Sequence, residues 1–253
     1  MRNIALKISY DGTNYHGWQR QENGITVQQV LEQTLGAILK QPITVNGCSR
    51  TDAGVHAQGF LCNFHTDARM PSDRLPYALN SLLPHDIRVH EAQDMAEAFH
   101  ARFDAIGKTY RYRILNHAVG DVFTRHFTMQ YVAPLSVENM QKAASHFVGQ
   151  HDFKAFMAAG SVVKDTVRTV SQVSVQKAGD EIIMDITADG FLYNMVRIIA
   201  GTLIYVGNGK LAVQDMPRII AGGNRRQAGI TAQPQGLCLL EVHYLGGEAN
   251  EKR

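Results

Sequence analysis

Hydrophobic periodicity switches repeatedly between two residues and about 3.6 residues along this chain. NIALKISYDG places Ile4, Leu6 and Ile8 on one face and ends at an Asp-Gly pair, which is typical of a half-buried strand followed by a turn. ITVQQVLEQTLGAILKQ then has apolar residues at helical spacing, and Thr26 with Gln29 fits a capping box. Strands and helices that mix throughout the sequence favour α/β or α+β layers.

The same periodicities predict six further elements. Strands are predicted over residues 58–66, 108–115 and 181–188, and helices over residues 71–84, 136–153 and 191–207. The pattern of strand and helix restarts at residues 101–107. We therefore predict two halves of similar size, residues 1–104 and 105–246, followed by a mobile tail of residues 247–253.

Composition sets few limits on the partners of this chain. The formal net charge of +2 neither demands a nucleic-acid partner nor excludes one. Cys48, Cys62 and Cys238 are odd in number and far apart, without a CxxC pair. We interpret them as reduced thiols of a cytoplasmic protein, not as a disulfide framework or a zinc site.

Membrane and cofactor signals are weak. The longest apolar stretch, residues 191–206, contains Asn194 and Arg197, and is too short and too polar to predict a membrane span. The histidines show no HExxH or other metal-ligand spacing, and the glycine-rich pieces match neither the P-loop nor the dinucleotide pattern. The sequence predicts no metal, no cofactor and no membrane association.

The stretch NGCSRTDAGVHAQGF carries Asp52 in a loop that contains glycine, just before a predicted strand. An aspartate in a loop often forms an Asx-turn or caps a helix. Arg50 and Gly54 favour a functional interpretation, because an arginine keeps a nearby carboxylate ionised and a glycine lets a substrate approach the backbone. An ionised, exposed carboxylate can act as a nucleophile.

Two aromatic residues share one face of the predicted strand KTYRYRIL. Tyr110 and Tyr112 lie with Lys108 on that face, and Arg111 and Arg113 lie opposite. They are either tyrosines at the edge of the core, or one of them faces a cleft, where it can stack on a base or move a proton.

Arg197 lies on a predicted helix among Met195, Val196 and Ile198. An arginine is rarely buried without a partner. Either its side chain extends to the surface along the helix edge, or the helix brings Arg197 to a buried carboxylate, for which Asp52 is the natural candidate.

Three segments in chain order, RTDAGVHA, KTYRYRI and GFLYNMVRIIAGTL, together resemble the tRNA pseudouridine synthase A family. YDGTNYHGWQRQ, FHARFDAIGKTYRY, GQHDFKAF and AQPQGLCLLEVHY also resemble blocks of that family, in the same order. The resemblance spans nearly the whole chain, and only the C-terminal GGEANEKR has no counterpart.

The resemblance implies a two-part α/β (α+β) protein, in which each subdomain is an antiparallel sheet backed by helices and the active cleft lies between them. It also implies a homodimer that holds tRNA across both subunits. The substrate is a uridine at tRNA positions 38–40, in the anticodon stem-loop. Its isomerisation to pseudouridine involves no net redox change and no group donor, so no cofactor is expected.

The resemblance also implies roles for individual residues. Asp52 is the nucleophile, which attacks either the base or the ribose carbon, and Arg197 pairs with it. Tyr110 stacks on the uracil and can help to remove the C5 proton, and Arg50 is a candidate to hold the displaced nucleotide. Four basic residues are candidate phosphate contacts: Lys108, Arg111, Arg225 and Arg226.

Two alternatives belong to other classes. A carboxylate glycoside hydrolase would need a second acid in a supporting motif, and no second carboxylate lies in surroundings comparable to those of Asp52. A non-catalytic RNA-binding relative would be indicated by an altered aspartate, tyrosine or helix arginine, and all three are present.

Overall fold

The computed structural model describes residues 1–160 and 163–245, which form two compact units. Unit 1 comprises residues 1–106 together with residues 239–245, and unit 2 comprises residues 107–238. The sequence predicted a boundary between residues 104 and 105, and assigned residues 105–246 to the second half. The structure differs at the C-terminal end of that range, since residues 239–245 belong to unit 1. The predicted tail of residues 247–253 lies outside the described residues.

Unit 1 is built on a sheet in which the strand order is β4-β1-β3-β10, and β2 pairs with β3. Its strands are β1 (Arg2–Tyr10), β2 (Val45–Gly47), β3 (His56–Thr66), β4 (Ile87–Met95) and β10 (Leu237–Tyr244). Strand β1 runs antiparallel to both β3 and β4. The register places Ile4 opposite Phe64 and Ile8 opposite Phe60, so the alternating apolar residues of the first strand meet apolar partners in the core.

Two helices complete unit 1: α1 (Val27–Leu39) and α2 (Leu75–Asn80). The predicted start of α1 is confirmed, because the Thr26 side chain accepts a hydrogen bond from the backbone N–H of Gln29. Leu31 and Leu35 of α1 are fully buried. The helix therefore contributes its apolar face to the core of this unit.

Unit 2 has the strand order β5-β9-β8-β7, and β6 pairs in parallel with β5. Its strands are β5 (Ala105–Leu115), β6 (Met129–Gln130), β7 (Gly149–Asp152), β8 (Val167–Ala178) and β9 (Glu181–Ala188). Its helices are α3 (Val137–Ala144), α4 (Met195–Gly207) and α5 (Met216–Ala221). Strands β5, β9, β8 and β7 pair in antiparallel fashion.

Three helix predictions need correction at their ends. The helix predicted over residues 71–84 spans only Leu75–Asn80, after a 3₁₀ turn at Ser72–Arg74. The helix predicted over residues 136–153 ends at Ala144, and the chain then forms a 3₁₀ turn and strand β7. The helix predicted over residues 191–207 begins only at Met195. Asn194 has a φ of 60°, a left-handed conformation that cannot continue a right-handed helix, so the helix starts after it.

The predicted fold class is confirmed, because mostly antiparallel sheets and helices make up the described chain. The cleft between the subdomains stays a prediction. Within the described residues, no helix is long and apolar enough to span a membrane. The three cysteines are free thiols.

Candidate active site

Asp52 lies in a tight turn of unit 1, just ahead of strand β3. The backbone N–H of Val55 donates to the carbonyl of Asp52 over 3.1 Å, and Gly54 has a φ of +76°, which favours glycine. The side chain of Asp52 is half-buried. Asp52 therefore lies in a short turn that is closed by its own backbone carbonyl.

The last residue of β1 and the segment after β1, residues 11–26, hold the backbone on both sides of Asp52. The hydroxyls of Tyr10 and Thr51 lie 2.8 Å apart in a buried hydrogen bond. The N–H of Trp18 donates to the carbonyl of Thr51 over 3.2 Å, and the N–H of Gly54 donates to the carbonyl of Tyr15 over 3.3 Å. These contacts fix the direction in which the Asp52 side chain leaves the loop.

Two glycines permit this close approach. A Cβ atom at Gly17 would lie 2.3 Å from the carbonyl oxygen of Thr51, and one at Gly12 would lie 2.0 Å from that of Val55. Both distances are impossible for a side chain. The sequence predicted only a turn at Asp11 and Gly12, although two glycines among aromatic residues are also a signal for close backbone contact.

The start of helix α1 supports the same segment from its other side. The N–H groups of Val27 and Gln28 donate to the carbonyls of Gly17 and Trp18 over 3.2 and 3.1 Å. The ring of Trp18 is buried, with its centroid 4.1 Å from that of Phe60. The segment that supports the Asp52 loop is therefore itself anchored by the first turn of α1 and by the buried ring of Trp18.

His56 lies next to this loop and was not predicted as a site residue. It is buried, and its Nδ1 accepts a hydrogen bond from the N–H of Gly12 over 3.0 Å. The same nitrogen lies 3.1 Å from an Asp11 carboxylate oxygen. His56 therefore connects the first residue of β3 to the Asp-Gly turn that follows β1.

The side chain of Arg50, the candidate to hold the displaced nucleotide, is exposed.

Tyr110 and Tyr112 of strand β5 share one face, as predicted, but have different surroundings. The hydroxyl of Tyr112 donates to the carbonyl of Gln233 over 2.7 Å, and burial raises the pKa of this fully buried side chain. Tyr110 meets the ring of Phe191 edge-to-face, with centroids 5.1 Å apart. Tyr112 therefore has a structural role, and Tyr110 is the candidate to stack on the uracil.

The opposite face of β5 carries two bidentate ion pairs with strand β9. Arg111 Nε and Nη2 each donate to the Asp185 carboxylate over 2.8 Å. Arg113 binds Glu181 in the same manner, over 2.8 and 2.7 Å. The phosphate contact predicted for Arg111 stays a prediction, and Asp185 would compete for that guanidinium.

Arg197, in the first turn of α4, is held by two hydrogen bonds inside unit 2. Its Nε donates to the carbonyl of Ala232 over 2.7 Å, and its Nη1 donates to Asn194 Oδ1 over 2.8 Å. The side chain is half-buried. Asn194 thus both precedes the helix in a left-handed conformation and orients the guanidinium.

The segment that carries Ala232 packs directly on the backbone of α4. A Cβ atom at Gly201 would lie 1.9 Å from the carbonyl oxygen of Ile230. Arg225 donates from Nη1 to the carbonyl of Gly229 over 2.7 Å and from Nη2 to the Thr231 hydroxyl over 3.1 Å. Burial lowers the pKa of Arg225. Arg225 therefore braces the segment to which Arg197 is bound.

The remaining predicted basic contacts differ in exposure. Lys108 is half-buried on β5, and Arg226 is exposed next to Arg225. Asp52 belongs to unit 1, whereas Tyr110 and Arg197 belong to unit 2, and the ion pair between Asp52 and Arg197 stays a prediction. Over residues 1–160 and 163–245, no group of His, Cys, Asp and Glu side chains could hold a metal ion.

The model of a protein family described as tRNA pseudouridine synthase matches residues 7–104 and 143–245. These two ranges include the Asp52 loop and the Arg197 helix. The chain belongs to the tRNA pseudouridine synthase family. Strand β5, with Tyr110, lies between the two matched ranges.

Individual relatives agree with this family. The tRNA pseudouridine synthase A of Ruminiclostridium cellulolyticum is 49% identical over 245 residues, which cover 96% of this chain and 100% of that protein. The tRNA pseudouridine synthase A of Geotalea daltonii is 50% identical over 244 residues, with the same coverage. A chain in a crystal structure of a Cbf5-Nop10-Gar1 complex has 13% identity and a TM-score of 0.41, and covers 93% of this chain and 48% of its own length. A TM-score of 0.41 is too low to support a conclusion about this chain.

Membership of the tRNA pseudouridine synthase family confirms the resemblance from which the sequence analysis argued. It also confirms the predicted enzyme class, an isomerase. The alternatives of a carboxylate glycoside hydrolase and of a non-catalytic RNA-binding relative are therefore not retained.

Proposed function

We propose that this protein converts uridine to pseudouridine at positions 38–40 in the anticodon stem-loop of tRNA, with Asp52 as the nucleophile. The observation that carries the proposal is the Asp52 turn, in which Thr51 and Gly54 are both bonded to the segment after β1. A carboxylate that must attack a defined atom benefits from a backbone that is already held in place.

The reaction breaks the C–N glycosidic bond and joins C5 of the uracil to the same ribose carbon. The C5 proton leaves and N1 gains a proton, so that atoms and charge balance without an oxidant or a donor. Asp52 attacks either the base or the ribose carbon, and both routes regenerate the carboxylate. The target nucleotide must first be flipped out of the stem, at a cost of a few kcal/mol.

Tyr110 and Arg197 complete the proposed constellation. The Tyr110 ring stacks on the uracil, and its hydroxyl helps to remove the C5 proton. Arg197 pairs with Asp52 and keeps it ionised, and the bonds from its guanidinium to Ala232 and Asn194 support this role by limiting its rotation. Arg50, exposed beside the loop, contacts the displaced nucleotide.

The oligomeric state and the cellular location of the protein are proposed on other grounds. A homodimer that holds tRNA across both subunits follows from the resemblance alone, and a cytoplasmic location follows from the pattern of reduced cysteines.

The test of Asp52 is tritium release from C5-labelled tRNA. We expect Asp52→Asn to abolish turnover, because an amide is a far poorer nucleophile than a carboxylate. tRNA binding should survive, since the attraction is spread over many phosphates. Asp73→Asn is the matched control in unit 1, because its carboxylate is exposed. Normal turnover by Asp52→Asn would remove Asp52 as the nucleophile.

The pairing of Arg197 with Asp52 is tested by Arg197→Met in the same assay across pH. Loss of the counter-charge favours the protonated, unreactive carboxyl group, so turnover should fall most at low pH. tRNA affinity should change little. Full turnover at saturating tRNA over the whole pH range would show that Arg197 is only structural.

A further inference from the structure

A concave site lies in unit 1, between the segment after β1 and the first turn of α1. The pocket has a volume of about 650 Å³ and is lined by Arg20, Gln21, Glu22, Gly24, Ile25 and Gln29. None of these residues takes part in the proposed chemistry. Ile25 is 60% exposed, so the pocket combines one apolar surface with a cation and amide groups.

Arg20 is held in this pocket by a carboxylate from the interior. Its Nη1 lies 3.3 Å from Glu32 Oε2, and Glu32 is only 8% exposed while Arg20 is 61% exposed. An arginine has five N–H donors, and the contact with Glu32 is made by Nη1. The remaining donors lie at the surface in a fixed orientation.

Glu32 in turn belongs to a buried polar network. Its Oε1 accepts hydrogen bonds from Gln28 Nε2 over 3.1 Å and from the N–H of Val45 over 3.0 Å. Gln28 also donates to the carbonyl of Val45, and its Oε1 accepts the backbone N–H of Arg20 over 2.9 Å. Arg20 is thus fixed at both its backbone and its side chain.

The same network connects the pocket to the candidate active site. Val45 begins strand β2, which leads into the loop with Asp52. Trp18, whose N–H is bonded to Thr51, precedes Arg20 by two residues, a span of at most about 7 Å between Cα atoms. The pocket therefore lies on the unit that carries the nucleophile, beside the segment that supports it.

We propose that this pocket binds a nucleotide of the RNA strand next to the target uridine, with its phosphate on Arg20. The planar guanidinium matches a phosphate in geometry and charge, Ile25 offers an apolar surface to the sugar or base, and Gln29 offers hydrogen bonds. The carboxylate of Glu22 repels an anion that diffuses freely. The proposed occupant is therefore a nucleotide that the rest of the RNA strand holds in place. The inference rests on the proposed function.

The experiment measures the affinity of the full-length protein for tRNA at several salt concentrations. Arg20→Ala should weaken binding about tenfold and reduce the slope of log affinity against log salt by about one. In tritium release, KM should rise while turnover at saturating tRNA is retained. Arg20→Lys should keep the slope but lose part of the affinity, since an ammonium lacks the planar fork.

Arg69→Ala is the matched control, because Arg69 is also exposed in unit 1 and its removal changes the net charge equally. An equal loss of affinity in Arg69→Ala and Arg20→Ala, or no loss in Arg20→Ala, would overturn the proposal. The proposed function and the RNA site at Arg20 can be refuted separately. A wild-type protein that binds tRNA through Arg20 but releases no tritium would refute the proposed function and leave the RNA site standing.

Discussion

At the scale of single residues, identical side chains on one strand face have different surroundings. Tyr110 and Tyr112 are two positions apart on β5, and both are buried. The Tyr112 hydroxyl donates to the Gln233 carbonyl, and a Cβ atom at Gly236 would lie 2.7 Å from the Tyr112 ring. Tyr112 therefore anchors the segment around residues 233–236 and contributes to the stability of the fold.

Replacement of each tyrosine by phenylalanine separates the two roles. Tyr112→Phe leaves the Gln233 carbonyl without its donor, and we expect it to lower the free energy of unfolding by about 1–3 kcal/mol. Its turnover below the melting temperature should be nearly normal. Tyr110→Phe should keep the stacking surface but slow turnover about 100-fold, because the proton-transfer group is lost.

Urea unfolding and tritium release on both variants provide the measurement. The assignment fails if Tyr112→Phe slows turnover as much as Tyr110→Phe does while its stability stays at the wild-type value.

At the scale of elements, two helices contain an interior glycine for different reasons. In α4, Gly201 allows the backbone at Ile230 to touch the helix, and the Thr202 hydroxyl accepts the N–H of Gly229 over 2.8 Å. In α1, a Cβ atom at Gly36 would lie 3.4 Å from the nearest atom, the carbonyl oxygen of Gln41, which is an ordinary contact. Only the glycine in α4 is required by packing.

We expect Gly201→Ala to destabilise the protein by about 1–3 kcal/mol, because the methyl group forces residues 229–232 away from α4. The carbonyl of Ala232 would then move relative to Arg197, so turnover should also fall. Gly36→Ala is the matched control and should stabilise the protein by up to about 1 kcal/mol through helix propensity.

Thermal unfolding and turnover of these two variants test the contact. Equal stabilisation by both substitutions would mean that α4 and the segment at Ile230 are not in backbone contact.

At the scale of the whole molecule, one thiol and three tyrosine hydroxyls of the described residues bind their protons more tightly in the folded chain than in the unfolded chain. Burial raises the pKa of the Cys62 thiol and of the Tyr112 and Tyr244 hydroxyls. Burial and a 2.6 Å hydrogen bond to Asp86 raise the pKa of Tyr15. Both units carry at least one such group.

These shifts predict that stability falls at alkaline pH. A raised folded-state pKa contributes stability that is complete below the unfolded pKa, about 8.5 for cysteine and 10 for tyrosine, and is lost as pH rises towards the folded value. Above its unfolded pKa, each group should cost up to about 1.4 kcal/mol per pH unit.

Urea unfolding between pH 7 and pH 11 measures this loss. Stability should decline first near pH 8.5 and more steeply above pH 10. Cys62→Ala should remove the first phase and leave the second. A free energy of unfolding that stays constant up to pH 10.5 would contradict the prediction.

The sequence by itself determined those features that depend on neighbouring residues. Period-two and helical patterns located β1, α1 and β9, because burial of one face repeats with the geometry of each element. The Thr26 cap was predictable for the same reason, since donor and acceptor are three residues apart. The motif around Asp52 was recognisable as a contiguous string, and with it the family.

The tertiary structure alone decided features that join residues far apart in the chain. Strands β4, β8 and β10 were not predicted, and β10 belongs with the first unit from Leu239 onward. The partner of Arg111 is Asp185, 74 positions away, and that of Tyr112 is Gln233, 121 positions away. A local pattern records which face of a strand is buried but not which group lies against it. The different surroundings of Tyr110 and Tyr112, and the anchoring of Arg20 by Glu32, therefore appear only once the chain has folded.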